Sequence, residues 1–170
     1  KPCNILPDEV IRKYKFINAD PETGSELSAK DRKYIRGIIK RYPFAWHFVL
    51  KVILKIALYR YLINRYSPVS IIVCNEYSFT SSVLTDYCHK NNTVHIDVMH
   101  GEKLLYMRDS FFHFDECHVW NEGYKELFGL MRAEKTQFHV SIPGSLRFES
   151  QNSIEKSVDY TYYLAAEDED

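Results

Sequence analysis

From Val69 onward, short strand-like runs alternate with segments of helical length, and this alternation constrains the chain more than any other feature. The runs occupy residues 69–74, 93–99, 116–120 and 137–142, with a last candidate at 160–165. Helical segments fall between them, at 80–90, where Asn91 and Asn92 supply the stop, and at about 122–131. The first run, Val-Ser-Ile-Ile-Val-Cys, is of the kind that forms a buried parallel strand. Strands and helices at this spacing form βαβ units. The expected fold class is therefore α/β, a Rossmann-like parallel sheet with flanking helices, preceded by a helical N-terminal segment.

That N-terminal segment carries its own signals. Pro7, Asp8 and Glu9 can open a short helix, and residues 20–27 form a turn-rich connector. Ser28 followed by Asp31 reads as a helix cap with an acid at its third position. The helix it starts runs to Arg41 and stops before Pro43, and a second runs over 44–66 with apolar residues covering most of its surface. Three regions are expected: residues 1–66, mainly helical and packed on the sheet; 67–148, the Rossmann-like core; and 149–170, a linker leading into a further C-terminal domain. The 170 residues fit one compact domain, and their 45% hydrophobic content suffices for a core. Because the chain begins at Lys rather than Met, it is expected to be a piece of a longer protein.

The formal charge of −1 conceals an asymmetry. Residues 1–70 hold 14 Lys/Arg against 6 Asp/Glu, and residues 71–170 hold 8 against 17. Between Lys30 and Arg65 there are ten basic residues and one acid, Asp31, interleaved with Phe44, Trp46, Leu50 and Leu54. Two readings stay open for this stretch: a basic amphipathic surface for an anionic membrane, or a core helix with a solvated cationic face. It does not read as a membrane span, since Lys51, Lys55, Arg60 and Arg65 interrupt it. The cysteines at 3, 74, 88 and 117 form no CxxC pair and read as reduced thiols. The expected location is cytoplasmic, with any membrane association peripheral to the inner face of the plasma membrane, and no nucleic-acid partner is expected.

In open α/β sheets, ligands bind beyond the carboxyl ends of the strands. The residues to watch are thus Asn75, Glu76 and Tyr77, then His100, Gly101 and Glu102, then Asn121, then Gly144 and Ser145. His100 can act as a general base near neutral pH, and Gly101 lets a ligand approach the backbone; a loop histidine bonded to the backbone is the alternative. Glu76 can reach the same crevice or serve the dipole of the following helix. His95 and Asp97 share a strand face and can pair there, a structural role. His113, Asp115, Cys117 and His118 hint at zinc, but an extended backbone sends His118 to the opposite face. No GxGxxG, GxxxxGK[ST] or GxSxG occurs, so neither a cofactor nor a metal is expected. Asn91-Asn92-Thr93 matches a glycosylation sequon by chance.

The four strand ends also carry a family resemblance, over about half of the chain. The carrying residues are Cys74-Asn75-Glu76, the strand ending in His100-Gly101, the run from Phe114 through His118 and Trp120 to Glu122, and the run from Phe138 to Ser145. This segment resembles the second half of the N-terminal domain in bacterial GT-B glycosyltransferases that build capsular or other surface polysaccharides. It is also similar to the glycerophosphotransferases that polymerise teichoic acid. The resemblance implies an acceptor-side domain, with His100 as the catalytic base and Glu76 orienting it or binding acceptor hydroxyls. It further implies a nucleotide-activated sugar held mainly by a C-terminal domain, and a glycan or lipid-linked acceptor. On that reading these 170 residues alone are inactive or weakly active. Transfer of glycerol phosphate from a CDP donor and a non-catalytic Rossmann-like binding module remain the alternatives.

Overall fold

Ser28 closes a capping box at the start of the N-terminal helical layer. Its Oγ accepts a hydrogen bond from the Asp31 amide at 3.2 Å, while Asp31 Oδ2 accepts from the Ser28 amide at 2.8 Å. The helix so opened is α2 (Ala29–Arg41), preceded by a short α1 (Asp8–Lys13). Tyr42 donates its amide to the Ile38 carbonyl, and Pro43 prevents continuation. The following helix, α3 (Trp46–Tyr66), ends at Ser67, which adopts the left-handed conformation at φ 45° just before Pro68. The sequence pattern started this helix at Phe44. Phe44 instead sits in the turn, where the Ala45 amide bonds the Tyr42 carbonyl. The computed structural model describes residues 6, 8–13, 15–19, 24–74, 80–99, 112–130 and 135–141.

The alternating half is a four-stranded parallel sheet. Its elements are β1 (Ser70–Val73), α4 (Thr80–His89), β2 (Val94–Val98), β3 (Glu116–Val119), α5 (Glu122–Leu130) and β4 (Phe138–Val140), the last entered through a single 3-10 turn. The strands lie in chain order, β1-β2-β3-β4, and every neighbouring pair is parallel. The register opposes Ile71 to His95, Asp97 to Cys117 and Cys117 to Phe138, so these residues share one face of the sheet. The expected α/β, Rossmann-like class is what the chain adopts. The candidate strand at 160–165 and the segment 149–170 lie outside the described residues.

All the larger helices pack on that one face. Leu84, Tyr87 and Cys88 of α4 join Val52, Ile56 and Tyr59 of α3 and Ile35 and Ile38 of α2 in one buried cluster. Phe128 of α5 stacks on Phe138 at 5.3 Å and meets Phe112 edge-on, closing a second cluster over Cys117 and Val119. Ile96 and Val98 point to the other face, where Leu6 and Phe16 pack against them. A strand order without reversal keeps the crossover helices on one side, which is why α4 and α5 lie together.

Candidate functional site

The carboxyl edge of the sheet is where ligands are expected, and its described part is tied by hydrogen bonds. Met99, fully buried, follows β2; its amide bonds the His118 carbonyl at 3.0 Å, and its own carbonyl accepts from the Trp120 indole at 2.9 Å. The indole is itself seated edge-on against Tyr124. The backbone directly before His100 is thus held from both sides. Glu76, Asn75 and Tyr77 after β1, His100, Gly101 and Glu102 after β2, and Gly144 and Ser145 after β4 lie outside the described residues. Asn121 is described, and it is exposed. Its Oδ1 accepts the Tyr124 amide at 3.0 Å, so its side chain caps the start of α5.

Beneath that edge lie buried polar groups. Asp97 and Cys117 meet across β2 and β3, with the thiol 3.6 Å from Asp97 Oδ2. Burial first, and then the Asp97 carboxylate, push the Cys117 thiol up. Burial likewise pushes Cys88 up to about 12, with Asp115 adding to the effect. Such thiols stay protonated and unreactive. Cys74, Cys88 and Cys117 form no disulfide.

His95 has a different set of partners from its strand neighbour Asp97. Its Nδ1 lies 2.8 Å from Thr85 Oγ1, whose hydroxyl faces the Ser81 and His113 carbonyls at 3.0 and 2.6 Å. Thr85 is therefore the acceptor for Nδ1–H, which leaves Nε2 to accept from the Tyr59 hydroxyl at 2.9 Å. This neutral imidazole ties β2 to α3 and α4 at once. The Asp115 carboxylate accepts the His95 amide at 2.7 Å and pairs with His89 on its other oxygen.

Burial lowers the pKa of His95 to about 3, against the pull of Asp115 and with help from Lys55 and His89. The direction fixes a pH dependence. An unfolded histidine takes up a proton as pH falls through 6.5, and the folded one does not until about 3. Stability from this residue is complete above 6.5 and declines toward 3, at up to about 1.4 kcal/mol per pH unit. Urea unfolding of the wild type should thus weaken between neutral pH and about pH 5, and His95→Gln should remove that part of the slope. An unchanged slope in the variant would assign it to other groups.

The sequence pattern did not reveal a third node. Asp31, 1% exposed, receives Arg60 through two bonds, Nε at 2.8 Å and Nη2 at 2.7 Å. Tyr87 and Ser28 donate to it as well, at 2.9 and 2.6 Å, and Arg60 also bonds Asn91. Burial works to raise the Asp31 pKa, but the Arg60, Ser28 and Tyr87 hydrogen bonds outweigh it and hold the carboxyl well below its ordinary range. A lone acid inside a basic run was the available signal.

Cavities open on both faces among the described residues, and two are well defined. The larger, about 740 Å³, lies between α2 and α4, bordered by Lys33, Tyr34, Arg41, Asp86, Tyr87 and Lys90. It runs to Asn91, toward the strand entry into β2 and away from the carboxyl edge, so its size does not make it the reaction site. The smaller, about 420 Å³, lies by Glu116, His118, His139 and Ser141 on the opposite face, where His118 Nδ1 is 2.9 Å from Ser141 Oγ and Nε2 is 3.4 Å from Glu116. Cys117 and His118 point to opposite faces, as the extended backbone requires. No group of three or more potential metal ligands occurs among the described residues. Comparison with family models, curated proteins and solved structures gives no match.

Proposed function

We propose that this chain is the acceptor-side domain of a GT-B-like glycosyltransferase that moves a sugar from a nucleotide donor to a surface polysaccharide or its lipid-linked precursor. One observation supports the reading. β1 and β2 are neighbouring parallel strands with Val73 opposite Asp97, so the sequence segments carrying Glu76 and His100 both follow strands that end at one edge. A crevice at that edge is where an open α/β sheet receives its ligand.

In this reading the acceptor hydroxyl attacks the anomeric carbon, the bond from that carbon to the nucleotide diphosphate breaks, and the proton passes to His100. Glu76 orients the imidazole or holds acceptor hydroxyls. Asn121 contributes through the turn it fixes, and Gly101 and Gly144 through close backbone approach. The donor nucleotide is assigned to a domain beyond these residues.

The test is acceptor-dependent nucleotide release by the complete natural protein, measured over a panel of sugar nucleotides and CDP-glycerol. Release from a sugar donor is expected. Release from CDP-glycerol alone would move the reading to glycerol-phosphate transfer, and release from none would leave a non-catalytic binding module.

A further inference from the structure

One side of α3 is buried through Val49, Val52, Ile56 and Tyr59, and Ala57 is buried beneath the segment carrying Glu26. The other side presents Trp46, Leu50 and Leu54, which are 69%, 58% and 63% exposed. Their spacing of four residues places them in one row along about 12 Å of helix. Phe44, 92% exposed in the turn just before, extends the row at its start. A helix in the core of a soluble fold with a solvated cationic face would have buried these side chains against the sheet; here they are turned outward.

Neither α2 nor α3 exposes an acid of its own. Residues 32–75 contain no Asp or Glu. Asp31 of α2 is buried against Arg60 and contributes no negative surface, while exposed Glu26 lies against the far end of α3, where its amide bonds the Ala57 carbonyl at 3.0 Å and its carboxylate accepts from Asn64 at 2.6 Å. Lys51 is exposed beside the row, one residue on from Leu50, and Arg36, Lys40 and Arg41 are exposed on α2. An occupant that is anionic and, just beneath its charge, apolar fits this surface. Phe44, Trp46, Leu50 and Leu54 line neither of these cavities, and exposures of 58% or more make them a projecting ridge. No described helix is long and apolar enough to cross a membrane.

We infer that this ridge docks the protein on an anionic lipid surface. Phe44, Trp46, Leu50 and Leu54 enter the headgroup and acyl boundary, while Lys51 and the α2 cations meet lipid phosphates. The inference is independent of the transferase reading, because it needs no catalytic residue. A second copy of the chain is the competing occupant, and the experiment separates the two.

The 170-residue chain is sedimented with vesicles of phosphatidylcholine alone or of equimolar phosphatidylcholine and phosphatidylglycerol. Binding is expected to the anionic vesicles at low salt and to fall as the Debye length drops to about 3 Å near molar salt. Lys51→Ala should weaken binding about fivefold, and Leu50→Glu with Leu54→Glu at least about tenfold. In a Trp120→Phe background, the remaining Trp46 emission should shift to the blue on adding anionic vesicles. Wild-type protein left in the supernatant, or undiminished binding by both the Lys51 and the Leu50/Leu54 variants, overturns the inference. So does a blue shift that appears with protein concentration and no lipid, accompanied by dimer in the ultracentrifuge, since that makes the occupant a second copy.

Discussion

Replacing His100 by Ala is expected to lower sugar-transfer turnover by about a hundredfold to ten-thousandfold, the usual worth of a positioned general base. The expectation rests on what precedes the residue. Met99 is fully buried, with its amide and carbonyl both bonded across to the β3 strand and the Trp120 indole. A backbone fixed this close to a proposed base lessens the freedom that must be lost at the moment of reaction. The same anchoring lies outside the imidazole, so the unfolding midpoint of His100→Ala should match the wild type. Glu76→Gln should cost less, because it keeps a hydrogen-bonding group in an orienting position. Transfer from the nucleotide donor, run beside thermal unfolding, checks all three statements. Near-normal turnover would remove His100 as the base, and lost folding would make it a structural residue.

Arg60→Met is expected to destabilise the fold by about 3–5 kcal/mol, the cost of leaving a buried ion without its partner. The Asp31 side chain is 1% exposed and that of Arg60 only 12%, so water cannot replace the guanidinium. Ser28 and Tyr87 would still donate to the carboxylate, but no charge would balance it. Adding Asp31→Asn to the variant should recover much of the loss, since the uncompensated charge is then gone. Urea unfolding at neutral pH measures both. The sign with pH follows from the lowered Asp31 pKa. The stabilisation is present above the ordinary carboxylate value of 3.8 and fades as pH falls below it toward the folded value, so the gap between wild type and Arg60→Met should narrow there.

The order of elements was legible in the sequence because periodicity and caps are local. Ser28 and Asp31 mark the start of α2, Asn91 and Asn92 the end of α4, and four short strand-like runs the four strands. What a side chain meets across space was less so. Apolar residues cover so much of α3 that its pattern could not say which row faces the core; Val52 and Ile56 do, while Leu50 and Leu54 do not. His95 and Asp97 share a face as period two requires, but their partners come from α3, α4 and β3, which no spacing within β2 encodes. For the candidate site, the sequence supplied the residue types, and the sheet supplies the adjacency of β1 and β2. Asn121 shows how a strand-end residue also serves its own helix, a role written in the Asn-Glu step that opens α5.

The imidazole of His95 has one more consequence, which concerns how the chain loses its structure. Its hydrogen bonds reach Tyr59, 36 residues earlier, and Thr85, 10 earlier, while its amide reaches Asp115, 20 later. The Tyr59 bond cannot survive if the N-terminal helices peel away from the sheet, because the ring would then be a buried polar group with one of its two partners gone. Partial opening between the two parts is thereby made costly. The helical layer and the strands are bound into one cooperative unit, and the edge bearing Met99 keeps its geometry for as long as α3 stays in place.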